Sequence, residues 1–204
     1  VPGKPLEELE RELGIKNAIK LASNENPVGP SPKALEAAAK ALAEGHRYPD
    51  GYKLRADLAE RLGVGIDEIV LGNGSNELID LICRAFAEPD KHAVYPDPSF
   101  VCYRMSTTAT AMRASEVPLI GNVSYDVDAL IAAVRPDTRL FFLANPNNPT
   151  GAYVKRADLE RILKSLPEST VAVLDEAYVE FPDADDYTSA IALRALHENT
   201  IILR

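Results

Sequence analysis

Two cysteines in 204 residues, Cys83 and Cys102, are too few for a disulfide framework and have no metal-ligand spacing. That scarcity suits a reducing compartment, and the cytoplasm is the expected home. The three histidines, His46, His92 and His197, are scattered and likewise offer no metal site. No apolar run approaches the length of a membrane span. Val1-Pro2-Gly3-Lys4-Pro5 lacks the charged-then-apolar layout of a signal peptide. Basic residues are in deficit: 22 Lys and Arg face 31 Asp and Glu, for a net charge of -9. Nucleic acid and anionic membrane are therefore not expected partners, although a local anion site remains compatible with this balance. There is no internal repeat and no low-complexity tract.

What is present is ordinary globular material, 46% hydrophobic and 26% charged, in a chain long enough for one sizeable core. Leu6 to Leu13 reads as a short helix ended by Gly14, and Leu21 to Pro30 as a polar loop. Ser31 is placed to cap a helix from Pro32 to Glu44, and Tyr52 to Leu62 is amphipathic, with Leu54, Leu58 and Leu62 four apart. Strands are then expected at Ile69-Leu71, Ala93-Tyr95, Ala114-Pro118, Leu140-Ala144, Val171-Leu174 and Thr200-Leu203. Helices are expected between them, at Ser75-Ala87, Ser99-Thr108, Val127-Val134, Lys155-Leu166 and Ser189-Leu196. This alternation means βαβ units: an α/β fold with a mainly parallel sheet sandwiched by helices.

The chemistry gathers at the ends of the apolar runs. Val171 to Leu174 leads straight into Asp175-Glu176, and Leu140 to Ala144 into Asn145-Pro146-Asn147-Asn148-Pro149-Thr150-Gly151. Ligands of open α/β sheets bind outside the carboxyl ends of the strands, so Asn148 and Asp175 are expected on one rim. Gly72-Asn73-Gly74-Ser75-Asn76 precedes a helix, where unpaired N–H groups attract phosphate or carboxylate. Read alone, it is equally a Ser or Asn cap on a glycine turn, and caps are far commoner than phosphate sites. It is neither a P-loop, for want of the following lysine, nor a dinucleotide fingerprint, for want of the third glycine. A buried Asp175 facing a pyridine nitrogen would keep that nitrogen protonated, which is what pyridoxal phosphate needs as an electron sink. Asn148 and Tyr178 could donate hydrogen bonds to the ring hydroxyl, and Phe100 could stack on the ring. A core phenylalanine is the plain alternative for Phe100, and a surface aromatic for Tyr48.

Taken together, Gly72-Asn73-Gly74-Ser75, Asn148-Pro149-Thr150-Gly151 and Asp175-Glu176-Ala177-Tyr178 resemble the fold-type I pyridoxal-phosphate aminotransferases. Leu21 to Pro27 and Arg47-Tyr48-Pro49-Asp50-Gly51 narrow the resemblance to the histidinol-phosphate aminotransferases. It runs from Val1 to Arg204 with every landmark in order and implies pyridoxal 5'-phosphate as cofactor. By that resemblance Ser75 and Asn76 hold the cofactor phosphate, Phe100 stacks on the ring, Asn148 and Tyr178 bond the ring oxygen, and Asp175 pairs with the ring nitrogen. The family more often has an acidic residue at position 76, so Asn76 departs mildly from it. Tyr48 is implied to reach the cofactor phosphate of a neighbouring subunit, hence a homodimer with shared sites. Asn24 and Asn26 are implied to line the substrate side. The implied organisation is an N-terminal arm with the first helix over 1–47 and a large cofactor-binding domain over 48–204, without the small C-terminal domain.

The resemblance implies transamination of histidinol phosphate with 2-oxoglutarate, giving imidazole-acetol phosphate and glutamate in histidine biosynthesis. An aromatic-amino-acid aminotransferase, a threonine-phosphate decarboxylase of the same fold and a non-catalytic binding fragment stay open beside it. The family's Schiff-base lysine is expected just after Arg204, and no lysine here replaces it: Lys155 and Lys164 fall on a predicted helix. The chain as it stands is therefore expected to be inactive and a piece of a longer enzyme.

Overall fold

The computed structural model describes residues 4–21 and 23–204. Val1–Gly3, read above for the absence of a signal peptide, and Ala22 of the polar loop lie outside the described residues. The chain divides into two units, Val1–Asp50 and Gly51–Arg204.

The first unit carries α1 (Leu6–Leu13) and α2 (Pro32–Leu42), and neither helix buries a residue. Gly14 ends α1 in the left-handed region at φ 64°, a conformation that glycine enters without steric penalty. Pro32 opens α2 as its spacing suggested, but the Ser31 side chain makes no capping bond; its carbonyl accepts from Leu35 N at 3.1 Å. The start of α2 is solvent-exposed, so water can serve the N–H groups that a cap would otherwise take.

The second unit runs α3 (Tyr52–Leu62), α4 (Gly74–Phe86), β1 (His92–Asp97), α5 (Cys102–Ala109), β2 (Arg113–Pro118), α6 (Val127–Ala133), β3 (Thr138–Ala144), α7 (Arg156–Ser165), β4 (Val171–Asp175) and β5 (Thr200–Leu203). The five strands form one sheet in the order β2-β1-β3-β4-β5, and every pairing is parallel. The expected strand at Ile69-Leu71 is absent. Those residues follow a 3-10 turn (Ile66–Glu68), and Val70 is 73% exposed. No neighbouring strand among the described residues takes up their backbone groups, so the β-branched pattern alone makes no ladder. The segment expected as a helix from Ser189 is a 3-10 helix, Ala190–Leu196. Its three-residue period puts Ala190 and Leu193 above one another, and both are buried.

Strand alternation sorts the core into two layers. Phe141, Leu143, Ala172 and Leu174 face a cluster completed by Leu130, Leu159, Ile162 and Leu163 from α6 and α7 and by Ala190 and Leu193. Leu140, Phe142, Ala144, Val171 and Val173 face the opposite cluster, with Ile79, Ile82 and Cys83 of α4 and Tyr103 of α5. Both faces being covered explains why these strands read as unbroken apolar runs. Each fully buried Leu or Phe contributes about 1.5–3 kcal/mol of transfer free energy.

Candidate active site

The strand order sets where a ligand belongs. From β1 the chain moves outward to β2, crosses back to β3 on the other side of β1, and continues to β4 and β5. The direction reverses between β1 and β3, and the crevice at the carboxyl ends of those strands is where open α/β sheets bind ligands. Asn147, 3% exposed, ties the two loops there together. Its Oδ1 accepts from the Ser99 hydroxyl at 2.9 Å, and its Nδ2 donates to Pro98 O at 3.1 Å and Thr150 Oγ1 at 2.9 Å. Asn145, also buried, accepts from Val154 N at 2.8 Å through Oδ1 and from the Tyr187 hydroxyl at 2.8 Å through its carbonyl. The Asp97-Pro98, Asn145-Pro146 and Asn148-Pro149 peptides in these loops are cis. Between the two anchored asparagines and Gly151, Asn148 is half-buried, and its side chain makes no hydrogen bond among the described residues.

Asp175 ends β4 in register with Ala144 of β3 and Leu203 of β5. It is 4% exposed. Its Oδ2 accepts from the Tyr103 hydroxyl at 2.8 Å and its Oδ1 from Ala177 N at 3.2 Å. Burial pushes the carboxyl above its usual range, and these two hydrogen bonds pull it partly back. No Lys, Arg or His among the described residues pairs with it. A buried carboxylate is normally matched by a cation. Asp175 instead presents a charge with only neutral donors at the rim of the sheet.

At the start of α4, Gly74 takes φ 75° to turn the chain into the helix. Neither Asn73 nor Ser75 supplies a side-chain cap; instead Glu77 reaches back, and its Oε2 accepts from Asn73 N at 2.7 Å and Asn73 Nδ2 at 3.0 Å. The N–H groups of Ser75 and Asn76 remain without an acceptor among the described residues. Ser75 is half-buried and Asn76 exposed, and the Cys102 thiol donates to Asn76 Oδ1. Two unpaired N–H groups at a helix start are a fitting cradle for an anion.

Phe100, half-buried, precedes α5 and meets the Tyr103 ring edge-on, 5.9 Å between centroids at 88°. Tyr103 stacks in turn on Phe142 at 5.0 Å and 20°. Tyr178, half-buried in the turn after β4, makes a T-shaped contact with Phe181 at 6.1 Å. Thus Phe100, Asn148, Asp175 and Tyr178 lie at or just after the carboxyl ends of β1, β3 and β4, and the Cys102–Asn76 contact ties the start of α4, with Ser75 and Asn76, to the segment after β1. Asn24, Asn26 and Tyr48 belong to the first unit. There Asn24 has φ 50°, Asn26 closes a turn through Val28 N at 3.0 Å and Gly29 O at 3.1 Å, and Tyr48 is fully exposed. Lys155 sits at the start of α7 paired with Asp186 at 2.9 Å, and Lys164 in its last turn 3.6 Å from Glu160.

Sequence reading missed Tyr103, Asn147 and Glu176. Tyr103 follows Phe100 by three residues, the spacing of neighbours on one helical face, and that was the available signal. Glu176 is 1% exposed; it accepts from Ala190 N, from the Ser189 hydroxyl at 2.9 Å and from Arg204 Nη2 at 2.9 Å.

The family model for class I and II aminotransferases matches residues 16–204, and the chain belongs to that family. A histidinol-phosphate aminotransferase from an Anaeromyxobacter species is 47% identical over 206 residues, covering 100% of this chain and 57% of the relative. The Moorella thermoacetica histidinol-phosphate aminotransferase is 45% identical over 207 residues, covering 100% and 53% respectively. Among solved structures, histidinol-phosphate aminotransferase from Sinorhizobium meliloti in complex with pyridoxal-5'-phosphate superposes with a TM-score of 0.81 at 31% identity, covering 91% of this chain and 51% of that one. Aspartate aminotransferase from Thermus thermophilus with maleate gives 0.83 at 25% identity, covering 96% and 54%. The chain spans about half the length of the curated relatives it matches. No helix among the described residues is long and apolar enough to cross a membrane.

Proposed function

We propose that this chain forms the pyridoxal-phosphate-binding part of an aminotransferase acting on histidinol phosphate and 2-oxoglutarate. The observation that carries the cofactor is Asp175: a buried carboxylate with no cationic partner among the described residues, at the rim where the fold places ligands. Two histidinol-phosphate aminotransferases at 47% and 45% identity to this chain support the substrate. When bound, pyridoxal phosphate supplies an electron sink for the pair released as the substrate's Cα–H bond breaks. Asp175 holds a proton on the ring nitrogen by charge pairing. Asn148, through Nδ2, and Tyr178, through its phenol, donate to the ring oxygen and favour its ionised form. Phe100 packs against the ring face and excludes water from it. The N–H groups of Ser75 and Asn76 at the start of α4 hold the phosphate. The family resemblance assigns Asn24 and Asn26 to the substrate and Tyr48 to the phosphate site of a second copy in a homodimer. A cytoplasmic setting belongs to the same reading, supported by two free thiols, Cys83 and Cys102.

The test is to assay the full-length gene product with histidinol phosphate, phenylalanine and threonine phosphate side by side. Turnover of histidinol phosphate with 2-oxoglutarate at the highest kcat/KM is expected. A protein that binds no pyridoxal phosphate, or that prefers either competitor, would sink the reading.

A further inference from the structure

One turn of chain from Phe100 to Tyr103 reaches three parts of the rim. Phe100 lies beside the crevice, Cys102 bonds Asn76 at the start of α4, and Tyr103 bonds Asp175 at the end of β4. Tyr103 is fully buried. Its ring is held by Phe142 at 5.0 Å and Phe100 at 5.9 Å, contacts that a phenylalanine would make as well. The hydroxyl adds one thing, a hydrogen bond to Asp175 Oδ2 at 2.8 Å.

We propose that Tyr103 is a positioning residue: its phenol holds the Asp175 carboxylate ionised and in one orientation for the cofactor ring nitrogen, without touching the cofactor itself. This rests on the assignment of Asp175 made above. The groups that face Asp175 are few and neutral. The Tyr103 phenol from α5 and the Ala177 N–H from its own turn donate to it, and the Cys102 thiol and the Tyr125 phenol are near enough to feel its charge without bonding it. Burial raises the pKa values of both phenols and of the thiol, so at neutral pH they are protonated and offer no countercharge. Tyr125 spends its hydroxyl on Ala144 O and Cys102 its thiol on Asn76. Tyr103 is thus the one side chain among the described residues that donates to Asp175. A carboxylate that loses a charge-assisted donor in an apolar setting shifts toward its neutral form, which cannot pair with a protonated pyridine.

The experiment compares wild type, Tyr103→Phe, Asp175→Asn and the double variant of the full-length gene product. Pyridoxal phosphate dissociation constants are measured from pH 5 to 8, and the Asp175 carboxyl of the cofactor-free protein is titrated by carbon-13 NMR. Tyr103→Phe is expected to weaken the cofactor roughly tenfold at neutral pH. It should also move the Asp175 titration, and the acid limb of cofactor binding, to higher pH. In the Asp175→Asn background the same substitution should change affinity little, which a general loss of stability would not reproduce. If Asp175→Asn itself left affinity intact, the assignment of Asp175 would fall and this proposal with it. If Asp175→Asn lost affinity while Tyr103→Phe kept both affinity and titration, the role of Tyr103 alone would fall. Should Tyr103→Phe not fold, the wild-type titration still decides: an Asp175 that is protonated at pH 7 in the cofactor-free protein overturns the proposal.

Discussion

Asp175 and Glu176 are adjacent in sequence and serve opposite faces of the sheet. Successive side chains of a strand alternate, so Asp175 follows Val171 and Val173 toward α5, while Glu176 turns toward the 3-10 helix on the other side. Asp175 meets the Tyr103 hydroxyl, and Glu176 meets Ser189, Ala190 N and the Arg204 guanidinium. One acid is left with neutral donors at the rim. The other is spent on structure, closing the end of β4 against the start of the 3-10 helix and the residue after β5.

Removing Glu176 is therefore expected to cost stability. Its carboxylate is 1% exposed and accepts four hydrogen bonds from three residues, whereas Arg204 keeps partial access to water. Glu176→Ala should lower unfolding free energy by about 2–4 kcal/mol, with Glu176→Gln in between because it keeps an acceptor. Urea denaturation checks this, and a Glu176→Ala protein within experimental error of wild type would contradict it.

Asp175→Asn is expected to do the reverse. Burial raises the Asp175 carboxyl, so the folded chain holds that proton more tightly than the unfolded chain does. Its contribution to stability is full in acid and is lost as the pH rises through the elevated value. At pH 7 the cofactor-free Asp175→Asn protein should melt at or above the wild-type temperature, with the gap narrowing in acid, while its affinity for pyridoxal phosphate falls. Melting curves at pH 7 and pH 4 check the first part, and a variant clearly less stable at pH 7 would refute it.

His92 predicts a separate acid sensitivity at the other end of the sheet. Thr138 Oγ1 accepts from Arg135 N at 2.8 Å and lies 3.1 Å from His92 Nδ1, while Ser115 Oγ lies 2.8 Å from Nε2, so both ring nitrogens have a hydroxyl partner. Burial, and then the Arg135 charge, lower the imidazole pKa below 6.5; Arg113 acts in the same direction and Asp137 against it. The contribution of a neutral His92 is complete above about pH 6.5 and is lost as the pH falls toward the lowered folded value. Urea midpoints should decline below pH 6.5, and His92→Gln should flatten that part of the profile. An unchanged slope in His92→Gln would count against it.

Gly74→Ala isolates backbone strain at the start of α4, the proposed phosphate cradle. Gly74 has φ 75°, and an added Cβ would meet nothing within 4 Å, so the penalty is conformational. A cost of about 1–2 kcal/mol is expected. Pyridoxal phosphate should bind more weakly as well, since the first N–H groups of α4 are re-aimed. Calorimetry and cofactor titration read the two effects separately; a stability loss with unchanged affinity would argue against the cradle.

Much of this was legible in the residues. Apolar runs bounded by turn residues located β3, β4 and β5, Gly14 marked the end of α1, and the four-residue leucine spacing located α3. These are local signals, carried by side-chain period and glycine's conformational freedom. The same rule misread Ile69-Leu71, because a strand needs a partner and local pattern does not reveal one.

By itself, then, the sequence determined the α/β alternation, the family, and the placing of Asn148 and Asp175 at strand ends, since each depends on residues close together in the chain. Only the tertiary structure decided that β1 and β3 flank the switch point, that Asn147 joins their loops, and that Tyr103, 72 positions before Asp175, is its side-chain donor. Those relations depend on which strands lie side by side and which face a helix covers. Both follow from burying two apolar layers at once, a condition on the whole chain that no short stretch of it expresses.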